Sequence, residues 1–266
     1  MDRDQHDEFG GLHRDLLQTG ATMDRRQLLR AVARFGISIA GLQLLGCSGS
    51  TGTDGSGNQA CAVIPNETAG PFPGDGSNGP SVLNQTGVVR SNIKSSFAGL
   101  TGTADGIPLN IELTIVTAGT CAPLANHAVY IWQCDRSGRY SLYTAGATNQ
   151  NYLRGVQETD SSGKVLFQSI FPACYQGRWP HIHFEVYESL AAATNVNNRM
   201  ATSQLALPKS TCDQVYATPG YEQSIINLSN VSLNTDMVFA DSASRELATV
   251  TGSVASVLFA SLTVPV

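Results

Sequence analysis

Basic clusters, CxxC pairs, long apolar runs and internal repeats are all missing from this sequence. Lys and Arg together number 16 against 21 Asp and Glu, a formal net charge of −5. A mildly acidic chain without basic clusters argues against nucleic acid as a partner. The six cysteines include no CxxC pair, which speaks against a structural zinc site. The apolar stretch from Ile37 to Leu45 is about ten residues, half of what a membrane-spanning helix needs. Histidine is scarce too, five in 266 residues, and only His127, His181 and His183 lie beyond the first fifty.

What is present begins with an export pattern. Residues 1–22 are polar and carry no readable pattern, so Met1 and Met23 are both open as starts. From Met23, Arg25-Arg26 precede the apolar stretch, and Leu44-Leu45-Gly46-Cys47 follows it. A basic region, a short apolar core and small residues describe a secretory signal. Paired arginines point to twin-arginine export. LLGC resembles a bacterial lipobox, which would put a lipid on Cys47 as the chain's membrane contact. The expected division is therefore a signal-bearing extension over 1–47, a flexible Gly/Ser-rich tether over 48–59, and a domain over 60–266. That organisation implies an exported protein, periplasmic or on the cell surface.

Strand signals dominate the domain. Leu109–Ala118 alternates apolar and polar residues, and AVYIWQC (128–134), SLYT (141–144), KVLFQSIF (164–171), HIHFEVYE (181–188) and MATSQLAL (200–207) read likewise. Gly/Asp turn signals separate several of them. LAAATNVNNR (190–199) reads as a short helix or irregular loop, and residues 250–266 as one or two closing strands. The expected class is all-β: a β-sandwich of mainly antiparallel strands with long loops at its active site. Exported domains meet oxidising conditions, so disulfides are expected among Cys61, Cys121, Cys134, Cys174 and Cys212, with pairing left open. A bridge from Cys61 would tie down the start of the domain.

His181 and His183 sit one residue apart in GRWPHIHF, so on a strand their imidazoles share a face. His-x-His alone is a weak metal signal. Tyr175 stands just upstream in FPACYQGR, and Tyr140 farther back in CDRSGRY. The run from Cys134 to Phe184, with its Gly-x-Tyr, Leu-Arg-Gly, Thr-Asp-x-x-Gly and Tyr-x-Gly-Arg-x-x-His-x-His elements, resembles the intradiol ring-cleavage dioxygenases. A weaker likeness extends to ETAGPFP (67–73) and TSQL (202–205).

That resemblance implies one non-haem Fe(III) held by Tyr140, Tyr175, His181 and His183. It also implies a catecholic substrate opened with O2, between its hydroxylated carbons, to a cis,cis-muconate-type diacid. Phenolate is a hard anionic donor suited to ferric iron, and imidazole suits iron as well. Arg178 matches the family's active-site arginine, Gln204 a glutamine near the ligands, and Tyr175 the tyrosinate that also serves as a base. Phe72 is a candidate for the pocket wall. Tyr143, Tyr152 and His127 read as structural. The chain lacks the helical N-terminal dimerisation region of the catechol 1,2-dioxygenases and looks like the short exported branch. Cys174 stands where relatives carry a bulky residue, leaving open a disulfide or a free thiol beside the ligand loop.

Rivals fail on residue counts. A cupin reading could use Glu188 but lacks a histidine after His183, and a Cu/Zn superoxide dismutase needs more histidines than are available. The non-enzyme alternative is a tethered β-sandwich binding module with a vestigial metal site.

Overall fold

Alternation along the chain becomes two four-stranded sheets in the computed structural model, which describes residues 61–266. The export-type segment, Cys47 and the 48–59 tether lie outside the described residues. The strands are β1 (Pro108–Val116), β2 (Ala128–Trp132), β3 (Arg154–Glu158), β4 (Lys164–Ile170), β5 (His181–Tyr187), β6 (Arg199–Ala206), β7 (Thr249–Gly252) and β8 (Leu258–Pro265). Helices α1 (Lys209–Tyr216), α2 (Glu222–Leu228) and α3 (Ala243–Glu246) lie between β6 and β7. One sheet runs β4-β1-β8-β7 and the other β3-β2-β5-β6. All pairings are antiparallel except β1 with β8.

The sheets differ in how they are covered. In β1, Leu109, Ile111, Leu113 and Ile115 are fully buried while the intervening residues are partly accessible, the period-two pattern of a one-sided strand. In β5 all seven residues are buried. Ile182, Phe184 and Val186 join β1, β4 and β8 residues in one apolar core cluster. His181, His183, Glu185 and Tyr187 point the other way, where a second cluster gathers Val82, Leu83, Tyr130, Trp132 and Tyr140. The segments before β1 and between β2 and β3 thus cover the second face of β5.

One sequence reading needs adjustment and two are made specific. SLYT is a turn, not a strand: the amides of Tyr143 and Thr144 donate back to the Tyr140 carbonyl, and Leu142 takes φ +75°. LAAATNVNNR becomes two short 3-10 turns, Ala192–Thr194 and Val196–Asn198. The Cys61 expectation holds, since Cys61 pairs with Cys121. That bridge closes a loop of sequence separation 60, which removes about 4 kcal/mol of unfolded-chain entropy in the loop-closure model. Cys134, Cys174 and Cys212 are free, buried thiols. Cys174 donates to the Arg178 carbonyl and forms no disulfide, so the segment before Tyr175 is not cross-linked.

Candidate metal centre and its surroundings

Register aligns the site. Across the second sheet, Arg154 pairs with Trp132, Trp132 with His183, and His183 with Gln204, a row spanning all four strands on one face. Trp132 stacks flat on the His183 ring, centroids 4.8 Å apart and 5° between planes. His181 lies two residues away on the same face, its ring centroid 4.7 Å from that of His183.

Turns bring the phenols to this pair. Tyr140 follows the turn in which Asp135 accepts from the Ser137 and Arg139 amides. Within it Gly138 adopts φ +80°, and a Cβ there would stand 3.3 Å from the Tyr175 Cβ. The glycine of the Gly-x-Tyr motif is thereby explained. Tyr175 opens the turn in which the Arg178 amide donates to the Tyr175 carbonyl.

Four donor atoms converge. Tyr140 Oη is 3.4 Å from His181 Nε2 and 3.3 Å from His183 Nε2. Tyr175 Oη is 3.2 Å from His181 Nε2, and the two imidazole Nε2 atoms are 3.1 Å apart. The six sequence-assigned residues thus gather at one place, with Arg178 and Gln204 beside the four.

Electrostatics keep every donor neutral when no cation is bound. Burial, and then the neighbouring Tyr175, pushes the Tyr140 phenol well above its ordinary pKa. Burial pushes Tyr175 up to about 12, against the opposing pull of Arg178. Burial and then Arg178 bring His181 down to about 3, and burial with His181 beside it takes His183 well below the ordinary value.

The donor set fits a metal ion. His181 Nδ1 contacts the Trp179 carbonyl, which accepts only if that nitrogen carries the proton. Its Nε2 is then a lone pair facing three other polar atoms. His183 Nδ1 is buried without a hydrogen-bond partner, so no bond on that side fixes the ring's tautomer. His183 Nε2 stands 3.1 Å from His181 Nε2, so the two nitrogens are satisfied either by one proton between them or by a cation. A cation satisfies both, and would displace the phenol protons as well. Among the described residues no group of three or more His, Cys, Asp or Glu is arranged to hold a metal. The donors here are of a different kind, two imidazoles and two phenols.

Beside them, Arg178 is 4% exposed and donates from Nε to Asp236 Oδ2 at 3.0 Å and from NH2 to Gln204 Oε1 at 2.7 Å. Gln204 donates in turn to the Thr68 carbonyl. Asp236 also accepts from the amides of Trp179, Val238 and Phe239. Burial alone would raise its pKa, but Arg178 and these amides hold it below the ordinary carboxylate value.

Sequence reasoning missed Asp236, which sits in an irregular stretch with no motif. It missed the roles of Arg154 and Trp132 as well, although Leu-Arg-Gly and the strand alternation carried both residues. Phe72 lies against Tyr140, ring centroids 4.9 Å apart. Gly70, at φ +69°, passes so close that a Cβ there would sit 3.5 Å from His183 Cε1. Tyr143, Tyr152 and His127 bond elsewhere, to Asn78, Asp135 and the Ala125 carbonyl. Glu188 is exposed just past the end of β5.

Comparison with known proteins follows the same lines. Residues 99–217 match the family model described as Dioxygenase. A search of curated proteins found no match. Among solved structures, an intradiol ring-cleavage dioxygenase from Tetranychus urticae is 25% identical, with TM-score 0.61 over 77% of this chain and 94% of that one. The dioxygenase domain of a carbohydrate-binding fusion from Streptomyces sp. SirexAA-E is 19% identical, covering 77% of this chain and 97% of that one at TM-score 0.48. The family match over 99–217 falls on the strands and turns that carry the row and the two phenols, so in that stretch the chain is similar to the Dioxygenase family and in its fold to an intradiol ring-cleavage dioxygenase.

Proposed function

We propose that this protein is an Fe(III)-dependent intradiol dioxygenase that opens a catechol-type ring with O2 to a cis,cis-muconate-type diacid. In this reading the two sheets form a β-sandwich, and Tyr140, Tyr175, His181 and His183 hold the ion. The observation that carries it is the convergence of two phenol oxygens and two imidazole nitrogens, linked by four contacts of 3.1–3.4 Å. Ferric iron, when bound, supplies a hard Lewis acid that withdraws electron density from a coordinated catecholate.

The protein's own groups do the rest. Tyr175 is half-buried whereas Tyr140 is 1% exposed, so Tyr175 is the phenolate free to swing toward an incoming substrate. Its proton affinity, raised by burial, makes it a strong acceptor for a catechol hydroxyl proton. Arg178, aimed by Asp236 and Gln204, stabilises negative charge that develops on the ring. Phe72 forms an apolar wall beside Tyr140.

The same proposal covers the N-terminal region: export through the paired arginines, and a lipid on Cys47 with a flexible tether holding the enzyme near a membrane surface. Metabolic labelling with a radioactive fatty acid, compared with Cys47→Ser, tests this part.

The activity is tested by loading the purified protein with ferric iron and following its visible spectrum. Oxygen uptake with catechol, protocatechuate and hydroxyquinol follows, with product identification. A reddish phenolate-to-iron band and a ring opened between its hydroxylated carbons are expected. A colourless ferric-loaded protein would overturn the ligand set, and a product opened outside the two hydroxyls would overturn the reaction class.

A further inference from the structure

Arg154 is a fully buried charged side chain, with 0% exposure, and no carboxylate lies within ion-pair distance of it among the described residues. Burying a guanidinium without a counter-charge is costly unless every N–H finds an acceptor. Here all five do. Nε donates to Ser141 Oγ at 3.0 Å, NH1 to the Pro73 carbonyl at 2.6 Å and Tyr130 Oη at 3.1 Å. NH2 donates to the carbonyls of Phe72 and Ser141, each at 2.9 Å. Every acceptor is neutral, and they come from three separate segments.

These segments flank the site. Phe72 and Pro73 belong to the stretch whose ring packs on Tyr140. Ser141 is the residue after Tyr140. Tyr130 stacks on Trp132, which stacks on His183. Arg154 itself occupies the end of the row Arg154–Trp132–His183–Gln204. The backbone on both sides of the clamp is held in the left-handed region: Leu142 at φ +75°, beside Ser141, and Leu153 at φ +56°, beside Arg154. Non-glycine residues persist there only where surrounding bonds over-determine the conformation, a circumstance that clusters at functional sites.

We infer that Arg154 is a positioning residue, a five-point clamp that fixes Tyr140 and the Phe72 wall relative to His183. It rests on the reading of Tyr140 and His183 as ligands, and it makes no contact with substrate. The planar fork is the requirement: lysine keeps the charge but offers three donors from a single point and cannot span three segments. Gly74 fits the same picture, since a Cβ there would stand 2.7 Å from Arg154 NH1.

The test uses the full chain with Arg154→Lys and the milder Ser141→Ala, which removes one acceptor. Three readouts are needed: amide hydrogen exchange of the metal-free protein, ferric-ion titration, and the visible spectrum of the loaded form. For Arg154→Lys, exchange at 72–76 and 141–144 should rise roughly tenfold or more while β1 and β8 stay as in wild type. Ferric affinity should fall roughly 10- to 100-fold, as when supports behind metal ligands are removed, with a shifted charge-transfer band. Ser141→Ala should give the same pattern, smaller and confined to 141–144. Exchange that rises evenly across the domain in either variant, or ferric affinity and band unchanged, would make Arg154 a core residue only and overturn the inference. Failure of the ligand reading looks different: wild type itself would give no coloured ferric form, and the clamp would then stand or fall on local exchange alone.

Discussion

The two faces of β5 do opposite jobs with the same seven residues. One face presents Ile182, Phe184 and Val186 to the core shared with β1, β4 and β8. The other presents His181, His183, Glu185 and Tyr187 to a layer of turns, and all four are buried like the apolar three. The first face stabilises through area removed from water. The second keeps polar groups dry, which costs free energy unless each is paired or neutralised. Depth alone therefore does not distinguish core from site; the chemistry of what is buried does.

Variants on the two faces break this comparison in different ways. The largest effect is expected from His183→Ala: ferric binding and the reddish band disappear and turnover falls to background, while circular dichroism keeps its strand signature. A ferric-loaded variant with an unchanged band would remove His183 from the ligand set. Phe184→Ala, its neighbour facing inward, should cost about 3–5 kcal/mol in urea unfolding, yet the fraction still folded should load iron normally. If instead its colour vanished before its fold did, the two faces would not be independent.

Glu185 sharpens the contrast through pH. Burial, with the Asp75 carboxyl adding to it, pushes Glu185 up from 4.5 to about 7. Native protein therefore holds a proton that unfolded chain has released, so stability from this group is present below the unfolded value and is lost as pH rises toward 7. Measured on metal-free protein, wild type minus Glu185→Gln should show a stability difference that grows between about pH 4.5 and 7 and is level above, to at most about 3 kcal/mol. Subtraction removes the contributions of Glu246, raised likewise to about 7, and of the buried histidines, which run in the opposite direction. A flat difference curve would show that Glu185 is ionised throughout. The smallest effect belongs to the one-sided sheet: Leu166 is 40% exposed on the open face of β4, and Leu166→Ala should stay within about 0.5 kcal/mol by thermal melting.

These differences also explain what could be read from residues alone. Strands with one wet face announce themselves by alternation, so β1 and β4 were legible almost to their ends. His-x-His was legible for the same reason, because a strand puts alternate residues on one side. SLYT misled because its apolar and aromatic residues imitate a strand, while the bonds that turn it close over only three or four residues. RGVQE went unread as β3: five residues, one of them glycine, give too short a pattern. Helices α1, α2 and α3 are eight residues or fewer and show little periodicity. Tyr140 and Tyr175 stand on turns whose mutual approach is a product of tertiary closure, so only family resemblance singled them out. Asp236 had neither route, lying beyond the stretch that matches the family. The cysteine pairing depended on distance in space, and spacing along the chain carries no record of that.

The Cys61–Cys121 bridge has a mechanical side. Residues 62–120 form a covalently closed loop that contains both the stretch lying over the site and the whole of β1. Tension applied to the N-terminal end enters at Cys61 and crosses the sulfurs to Cys121, bypassing everything between. Gly70, Phe72 and Pro73 are thus out of the load path, and a pull on that end can fray the chain without prising the cover from His183.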